Sequence, residues 1–347
     1  MRTEPNSEIE ARSLWFAGPR APEIRRELVP APGPGEVRVE ATASAISQGT
    51  EMLVYRGEVP TDLPLDLPTL DGSYGFPIKF GYAMVGHVLD VGRGVESFSP
   101  GDPVFVHHPH QETFVVPADA PVRLPPGLDP LFAVFTANLE TALNVVHDTP
   151  IRLGETALVF GQGVVGFLVS RLLKLSGAGR VLVVDPLEKR RNLALEAGAD
   201  AAFGTDEDLD KLILEATGGR GADVAVEASG SGDALQRAID NVAVEGAVVV
   251  ASWYGTKPVS LMLGGHFHRG RIRLRSSQVG RIPPELGSRW DPARRLQTVI
   301  GMLEDSRLGL NLLISHRFPF EEATEAYRLV DENPGEVLQA VLTYGDG

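Results

Sequence analysis

The stretch TALVFGQGVVG occupies residues 156–166. Its first five residues form an apolar run that predicts a buried strand, and the apolar periodicity of residues 164–175 predicts a helix. Further strands are predicted at 180–184, 222–227 and 247–252, and further helices at 186–197 and 233–241. Strands that alternate with helices predict an α/β fold with a parallel, doubly wound sheet and right-handed crossovers.

The turn between this first strand and helix contains three glycines with distinct predicted roles. Gly161 permits a tight turn, Gly163 lets the backbone approach a pyrophosphate, and Gly166 lets the helix pack closely on the strand. The free N–H groups and positive dipole end of the helix then favour a phosphate. The sequence therefore predicts that Gly161, Gln162, Gly163, Val164, Val165 and Gly166 bind a dinucleotide.

An acidic residue stands where this type of site requires one. Asp185 ends the second strand, and an acid about 20 residues after the third glycine accepts hydrogen bonds from a ribose diol. Asp185 also suits a helix cap before Pro186, and the two roles are compatible. Its charge favours NAD over NADP, whereas Lys189, Arg190 and Arg191 keep NADP possible.

The parts of the chain on either side have a different character. Residues 14–117 predict short strands at 36–41, 85–91, 103–106 and 113–116, broken by glycine and proline. The end of the chain predicts helices at 291–303 and 320–330 and a strand at 338–342. We expect one domain from residues 1–145 and 286–347 and a dinucleotide-binding domain from residues 146–285.

Composition excludes several classes of protein. A length of 347 residues suggests two domains, and a net charge of −14 argues against nucleic-acid binding. The alternating run Arg269 to Arg275 predicts a strand with one solvated face. With no cysteine in the chain, disulfides, thiolate zinc sites and a cysteine nucleophile are excluded. No apolar run is long enough to span a membrane, and Met1 to Arg12 lacks the pattern of a secretory signal, so we expect a cytoplasmic protein.

Several short motifs resemble those of the medium-chain dehydrogenase/reductase family. They are Pro34-Gly35-Glu36-Val37, Gly49-Thr50-Glu51, Gly81-Tyr82-Ala83-Met84-Val85-Gly86, Pro100-Gly101-Asp102-Pro103-Val104, Ala197-Gly198-Ala199-Asp200 and the glycine turn. The resemblance implies a GroES-like β-barrel catalytic domain beside a Rossmann domain. The stretch Ile46 to Glu51 is similar to one in bacteriochlorophyllide-type alcohol dehydrogenases.

The positions that bind zinc in many family members are occupied by other residues. Gln48 stands where the first cysteine would be, Tyr82 replaces the histidine, and Ala83 replaces the glutamate that follows it. The region of the third ligand, Ala137 to Thr141, has no cysteine. The resemblance therefore implies a zinc-free member. His107, His108 and His110 leave a different metal site open, although we expect none.

Without zinc, another group must handle the proton that accompanies hydride transfer. The resemblance places Thr50, Tyr82 and His110 near the nicotinamide, and Glu140 could orient His110 or bind a substrate hydroxyl. A purely structural role is the alternative for Thr50, Tyr82 and Glu140. Ser47, Gln48 and Asn138 are candidate substrate contacts. Further candidate cofactor contacts are Thr141, Ser229, Ser252, Trp253, Gln278 and Arg190.

Three functions remain open from the sequence. The first is a zinc-independent, NAD-dependent oxidoreductase for a polar alcohol or ketone, such as a sugar, a cyclitol or a natural product. The second is an NADPH-dependent quinone or enone reductase, and the third is a cofactor-binding protein without catalysis. A strand at Arg271 to Ser276 near the sheet edge, together with the family resemblance, suggests a homodimer.

Overall fold

The computed structural model describes residues 8–65, 69, 72–206 and 208–345. Its strands are Ile9–Gly18 (β1), Ala21–Val29 (β2), Glu36–Ile46 (β3), Met84–Val91 (β4), Pro103–Val106 (β5), Thr113–Pro117 (β6), Val122–Arg123 (β7), Thr156–Phe160 (β8), Arg180–Val184 (β9), Ala201–Phe203 (β10), Ala222–Glu227 (β11), Val242–Val250 (β12), Arg273–Ser276 (β13), Ile314–Pro319 (β14) and Gln339–Thr343 (β15).

Helices account for much of the remaining chain. They are Thr50–Arg56 (α1), Pro130–Ala133 (α2), Thr136–Asp148 (α3), Val164–Leu175 (α4), Glu188–Glu196 (α5), Leu209–Ala216 (α6), Gly232–Asp240 (α7), His266–Arg269 (α8), Pro292–Met302 (α9), Leu310–Leu313 (α10) and Ala323–Glu332 (α11). Within the described ranges, none of the helices has the length and hydropathy needed to cross a bilayer.

The first compact unit runs to Ala137 and resumes at Leu313. Its larger sheet has the order β14-β15-β3-β4-β5-β7, and β6 pairs with β3. The long strand β3 curves through register shifts, so it can pair with β4, β6 and β15. Its apolar residues Val37 and Val39 pack with Phe114 from β6 in a buried core. This is the predicted GroES-like, β-rich architecture.

The second compact unit is Asn138–Leu312. Its sheet has the order β10-β9-β8-β11-β12-β13, and all of its strand pairs are parallel. Every residue of β8 is buried, as is expected of a strand covered on both faces. The chain order reverses between β8 and β11, so the carboxyl ends of these two strands form the crevice where doubly wound sheets bind ligands. The predicted Rossmann fold is confirmed.

The limits of individual elements differ in places from those predicted. The boundaries of β5, β8, β9, β11 and α4 are as predicted. By contrast, β12 begins at Val242 rather than at residue 247, and α11 follows a 3-10 turn at Phe320–Glu322. The domain limits predicted at residues 145 and 286 both lie inside the second unit and stay a prediction.

The strand with one solvated face that the run Arg269 to Arg275 predicted is confirmed only in part, because β13 spans Arg273–Ser276. Arg271 has a φ of 54° and precedes the strand, where it forms an ion pair with Glu245. The side chain of Arg275 forms an ion pair instead of only facing solvent, because its guanidinium lies 2.8 Å from the buried carboxylate of Asp148. Only Arg273 is an exposed strand arginine as predicted.

We expect Gly92 to be indispensable to the β-rich unit. A Cβ atom at this position would lie 1.7 Å from the carbonyl oxygen of Gly33, which is backbone and cannot move aside. Gly92→Ala should lower the free energy of unfolding by about 2 kcal/mol or more, measured by urea denaturation. Gly18→Ala is the matched control, because an added Cβ meets nothing within 4 Å there. Similar stabilities of the two variants would contradict the close backbone approach.

Candidate active site

The β-rich unit contains a buried cluster of polar side chains from five separate segments. Ser44 lies near the end of β3, Glu51 in the first turn of α1, and His110 between β5 and β6. Tyr327 lies on α11, and Tyr344 follows β15. Parallel pairing of β14 with β15, and antiparallel pairing of β15 with β3, bring the end of the chain beside Ser44.

The cluster is connected by short contacts between side chains. Oε2 of Glu51 accepts a hydrogen bond of 2.6 Å from the Tyr327 hydroxyl and lies 3.1 Å from Nε2 of His110. Nδ1 of His110 lies 2.7 Å from Oγ of Ser44, which in turn lies 2.8 Å from the Tyr344 hydroxyl. Glu51 and His110 are both 0% exposed.

Tyr82 is half-buried and lies beside this cluster. Burial raises the pKa of its hydroxyl well above the usual value, and the negative charge of Glu51 raises it further. Hydrogen bonds with Ser47 and Thr50 oppose this effect in part. Three residues predicted from the sequence, Ser47, Thr50 and Tyr82, are thus together, and the Tyr82 hydroxyl keeps its proton at neutral and moderately basic pH.

The hypothesis that Glu140 orients His110 is wrong. Nε2 of His110 contacts Glu51 instead, and Nδ1 contacts Ser44. Oε1 of Glu140 accepts hydrogen bonds of 3.1 and 2.9 Å from Nε and Nη2 of Arg295, and this ion pair is buried. The structural role considered for Glu140 is therefore supported. Its partner lies on α9, and no sequence spacing indicated it.

The other predicted substrate contacts lie in different surroundings. The side-chain amide of Gln48 donates a hydrogen bond of 2.6 Å to the carbonyl of Val337. Asn138 is buried at the start of the second unit. Their contact with substrate stays a prediction.

The histidines at 107, 108 and 110 do not share one set of contacts. The ring of His108 stacks on Phe114 at 3.8 Å between centroids, and its Nδ1 donates to the Pro109 carbonyl. Burial lowers the pKa of His108 to about 3, so the imidazole is neutral. No group of three or more potential ligands among His, Asp and Glu converges in the part of the chain that the structure describes.

In the α/β unit, the glycine turn has the geometry that its sequence predicted. Gly161 has a φ of 88°, and a Cβ there would lie 2.8 Å from the carbonyl oxygen of Ala228. A Cβ on Gly166 would lie 1.9 Å from the carbonyl oxygen of Gly161, so only glycine allows the helix to begin this close to the strand. A Cβ on Gly163 would meet only a guanidinium nitrogen of Arg190, at 3.9 Å. The three glycines thus have different constraints: two are required by the fold and one leaves space open.

Asp185 is buried and holds this turn together. Its Oδ2 accepts a 2.7 Å hydrogen bond from the backbone N–H of Gln162, and its Oδ1 accepts one of 2.9 Å from Leu187. The Gln162 side chain is also buried, with its amide donating to the carbonyl of Gly161. Asp185 therefore acts locally, but not as the predicted helix cap, because α5 begins at Glu188 and its N-cap is Leu187. It retains further lone pairs for a diol.

Basic side chains surround the same strand end. Arg191 donates to the carbonyls of Asp185 and Pro186, so it is committed to the loop. Burial lowers the pKa of the Arg190 guanidinium, and the charge of Asp185 opposes this. Arg190 thus lies near both Asp185 and Gly163, as expected for a residue that meets the adenosine end of a dinucleotide.

A second buried carboxylate, missed in the sequence, stands at the end of β11. Oε1 of Glu227 accepts hydrogen bonds from the backbone N–H groups of Ser229 and Gly230 and from the Ser229 hydroxyl. Its Oε2 accepts one from the Tyr254 hydroxyl. The Gly230 N–H also donates to Ser252. Ser229 and Ser252, both predicted cofactor contacts, thus lie in two neighbouring loops, after β11 and after β12, that this hydrogen bond joins.

Three predicted cofactor contacts have no role that the geometry assigns. Trp253 is partly exposed, Thr141 lies on α3, and the Gln278 carbonyl accepts a hydrogen bond of 3.3 Å from Asn144. Their cofactor contacts stay predictions. Of the residues missed, only Glu51 left a signal, as part of the Gly49-Thr50-Glu51 motif. Glu227, Tyr327 and Tyr344 left none, because their partners lie far away in the chain or depend on loop geometry.

We expect the Glu140–Arg295 pair to be structural. Arg295→Met would leave a buried carboxylate without its cation and should lower the free energy of unfolding by about 3 kcal/mol or more. The exposed neighbour provides a control, because Arg294→Met should cost below about 1 kcal/mol. Chemical denaturation of both variants measures the difference. Equal stabilities would show that the pair contributes nothing.

Two family models match the chain. The model described as "Alcohol dehydrogenase GroES-like domain" matches residues 33–122, and the model described as "Zinc-binding dehydrogenase" matches residues 164–295. D-guloside 3-dehydrogenase of Escherichia coli K12 is 28% identical over 329 residues, which cover 89% of this chain and 93% of that protein.

Solved structures share the fold over nearly the whole chain. An alcohol dehydrogenase from Escherichia coli CFT073 complexed with NADH has a TM-score of 0.80 at 22% identity, covering 96% of this chain and 99% of that one. A zinc-binding dehydrogenase from Sinorhizobium meliloti 1021 bound to NADP has a TM-score of 0.79 at 21% identity, with the same coverage. The chain therefore belongs to the zinc-type medium-chain dehydrogenase/reductase family and is an NAD(P)-dependent oxidoreductase.

Proposed function

We propose that this protein is a zinc-independent dehydrogenase that interconverts a polar alcohol and its ketone or aldehyde with NAD. The observation that carries the proposal is the Tyr82 hydroxyl, which lies beside Ser47 and Thr50 and keeps its proton. The resemblance aligns Tyr82 with a zinc-binding histidine of the family. A protonated hydroxyl offers the hydrogen-bond donor that a reacting carbonyl oxygen needs.

The residues at the family's zinc positions do not fit zinc. Catalytic zinc takes three nitrogen, sulfur or carboxylate ligands, and this chain has no cysteine. The amide nitrogen of Gln48 donates to a backbone carbonyl, and the Tyr82 hydroxyl keeps its proton because burial and the charge of Glu51 raise its pKa. The proposed chemistry therefore uses protein side chains rather than a metal.

The glycine turn fits a dinucleotide. The space above Gly163, the N-terminus of α4 and the ordered loop at Ser229 suit a pyrophosphate and its neighbours. The nicotinamide ring, when bound, accepts or donates a hydride. Asp185 would accept hydrogen bonds from the adenosine ribose, which supports NAD, and the NADH complex of a similar fold is consistent with this.

Tyr82 is proposed to exchange the proton of the reaction. In carbonyl reduction its hydroxyl donates a hydrogen bond and then a proton to the substrate oxygen as the hydride reaches carbon. Alcohol oxidation is the reverse and requires the phenolate form of Tyr82, which first loses its proton to water and then takes the proton of the alcohol as the hydride leaves its carbon. Thr50 and Ser47 fix the direction of the hydroxyl, and Ser47, Gln48 and Asn138 are the proposed contacts to further hydroxyl groups of the substrate.

A polar substrate agrees with the number of hydroxyl and amide groups proposed to contact it. A relative that covers nearly the whole chain carries the name D-guloside 3-dehydrogenase, which supports a sugar-like alcohol. Homodimer formation through the edge strand β13, a zinc-lacking subgroup and a cytoplasmic location are further proposals.

One observation favours the second candidate, an NADPH-dependent quinone or enone reductase. The guanidinium of Arg190 lies near Gly163 and Asp185, where it could pair with a 2′-phosphate. Asp185 is already engaged by two backbone N–H groups, which weakens its repulsion of that phosphate. Tighter binding of NADPH than of NADH would favour this function.

Two glycine variants separate cofactor binding from folding. Gly163→Ala should fold normally and weaken NADH binding at least about tenfold, because the new methyl group occupies the space proposed for the pyrophosphate. Gly166→Ala should destabilise the unit itself, since its Cβ would overlap the Gly161 carbonyl. Fluorescence titration with NADH and thermal unfolding distinguish the two. Unchanged NADH affinity in Gly163→Ala would contradict the proposed site.

The proposed chemistry predicts a large effect at Tyr82. The wild-type protein should reduce a member of a panel of ketoses, oxidised glycosides and inososes with NADH, followed by the loss of the NADH absorbance band. Tyr82→Phe should reduce the turnover number at least about 100-fold, because the proton donor is lost. Tyr55→Phe, a buried tyrosine of the same unit, should leave it nearly unchanged.

Zinc independence is tested in the same assay. Prolonged dialysis against a chelator should leave activity unchanged, and elemental analysis should find less than stoichiometric zinc. Activity that disappears on dialysis and returns with zinc would overturn this part of the proposal.

A further inference from the structure

We propose that Glu51 is an anionic positioning residue that acts through Tyr82, and that His110 holds the Glu51 carboxylate in place rather than meeting the substrate. The inference deepens the proposed function and rests on Tyr82 as its proton donor. It assigns a role to a buried carboxylate and imidazole that the chemistry above leaves unused.

Close packing links His110 to the segment that carries Tyr82. Gly81 has a φ of 148°, and a Cβ on it would lie 3.0 Å from Cδ2 and Nε2 of His110. The His110 ring therefore lies directly against the backbone before Tyr82, at the end that contacts Glu51. With both ring nitrogens engaged and no exposed surface, His110 cannot itself touch a substrate in this arrangement.

The hydrogen bonds favour one assignment of protons. The Tyr344 hydroxyl can donate to Ser44, Ser44 to Nδ1 of His110, and Nε2–H of His110 to Glu51, which also accepts from Tyr327. Every donor then has an acceptor, with a neutral imidazole and an ionised carboxylate. The reverse order requires a protonated Glu51 and leaves the Tyr344 hydroxyl hydrogen without an acceptor among the described residues.

One carboxylate oxygen remains open in this assignment. Oε1 of Glu51 is buried and has no hydrogen-bond partner within the described parts of the chain. A buried, unpartnered charged atom is costly, so its presence calls for a role other than stability. The neutral His110 does not cancel the charge, which therefore acts on the surrounding hydroxyl groups.

The groups that face this charge are mainly tyrosines. It is faced by His110 from the β5–β6 loop and by Tyr327 from α11. It is also faced by Tyr344 from the segment after β15 and by Tyr82 from the segment before β4. Tyr327 is fully buried, whereas Tyr344 and Tyr82 are half-buried. Of the three, Tyr82 lies beside the partly exposed Ser47 and Thr50.

Tyr74 and Glu112 act on this group from farther away. Tyr74 raises the pKa of the Tyr82 hydroxyl, and Glu112 raises that of Tyr344. Both effects are separate from that of Glu51, which raises the pKa of the Tyr82 hydroxyl more than any cause other than burial.

The consequence for catalysis follows from charge. A phenolate at Tyr82 would lie beside the anionic Glu51, so the hydroxyl keeps its proton until the substrate oxygen takes it, and the phenolate is then reprotonated from water. Carbonyl reduction requires the protonated hydroxyl, so activity is present below the pKa of Tyr82 and is lost as pH rises through it. Glu51 therefore extends the active range of reduction to higher pH.

The first experiment needs no variant and no substrate. Nitrogen NMR of the full-length, histidine-labelled protein reports which ring nitrogen of His110 carries a proton near neutral pH, with His110→Gln used to assign the signal. A proton on Nε2, alone or with one on Nδ1, agrees with an ionised Glu51. A neutral ring protonated only on Nδ1 would require a protonated Glu51 and would overturn the inference.

The second experiment measures the effect on Tyr82 directly. Carbon NMR of tyrosine-labelled protein follows the ionisation of Tyr82 from neutral to strongly basic pH, with Tyr82→Phe used for assignment. Glu51→Gln should move the midpoint of the Tyr82 titration to lower pH by about one pH unit. Glu40→Gln, an exposed carboxylate of β3, is the matched control and should leave it in place.

Further arms separate a structural role from the proposed one. Tyr327→Phe removes a hydrogen bond to Glu51 but keeps the charge, so the Tyr82 midpoint should not fall. An unmoved midpoint in a folded Glu51→Gln protein contradicts the inference, and if that variant does not fold, the His110 tautomer alone decides. These readouts need no turnover, so a failed substrate screen with a shifted Tyr82 titration counts against the proposed function only.

Discussion

A contact between two backbone segments determines how the α/β unit is built. The Cα of Gly166, on the first turn of α4, lies so near the Gly161 carbonyl that no side chain fits between them. Helix α4 can therefore begin immediately after β8, with its free N–H groups beside the carboxyl end of the sheet. The buried strands β8, β9 and β11 and the phosphate-binding geometry both depend on this approach.

Buried carboxylates stabilise the loops around this contact. Asp185 accepts from backbone N–H groups in the glycine turn and just before the next helix. Glu227 accepts from two backbone N–H groups in the loop after β11. Each is largely or fully buried, and each satisfies N–H groups that would otherwise lack partners. The loops at the carboxyl edge of the sheet are thus held by hydrogen bonds within the protein, and such preorganisation lowers the entropy that a binding site loses on binding.

The β-rich unit uses a buried carboxylate differently. Glu51 accepts from Tyr327 and contacts His110, yet one of its oxygens has no partner within the described residues. Both oxygens of Asp185 accept from backbone N–H groups, and those of Glu227 accept from backbone N–H groups and from the hydroxyls of Ser229 and Tyr254. The incomplete satisfaction of Glu51, beside a hydroxyl whose pKa it raises, distinguishes a carboxylate that acts on a neighbour from one that only holds a loop.

The amino-acid sequence by itself determined the fold class, the glycine turn and the departure from the zinc-binding pattern. These features are local: periodicity, glycine spacing and the residue types at Gln48 and Tyr82 are all read along a short stretch of chain. Only the tertiary structure decided the partners of His110 and Glu140, because Glu51, Tyr327 and Arg295 are brought in by strand pairing and helix packing across long sequence separations. The same reason explains why Arg275 pairs with Asp148 instead of facing solvent. A side chain's type can be read from the sequence, but its charge partner depends on which distant segment packs against it.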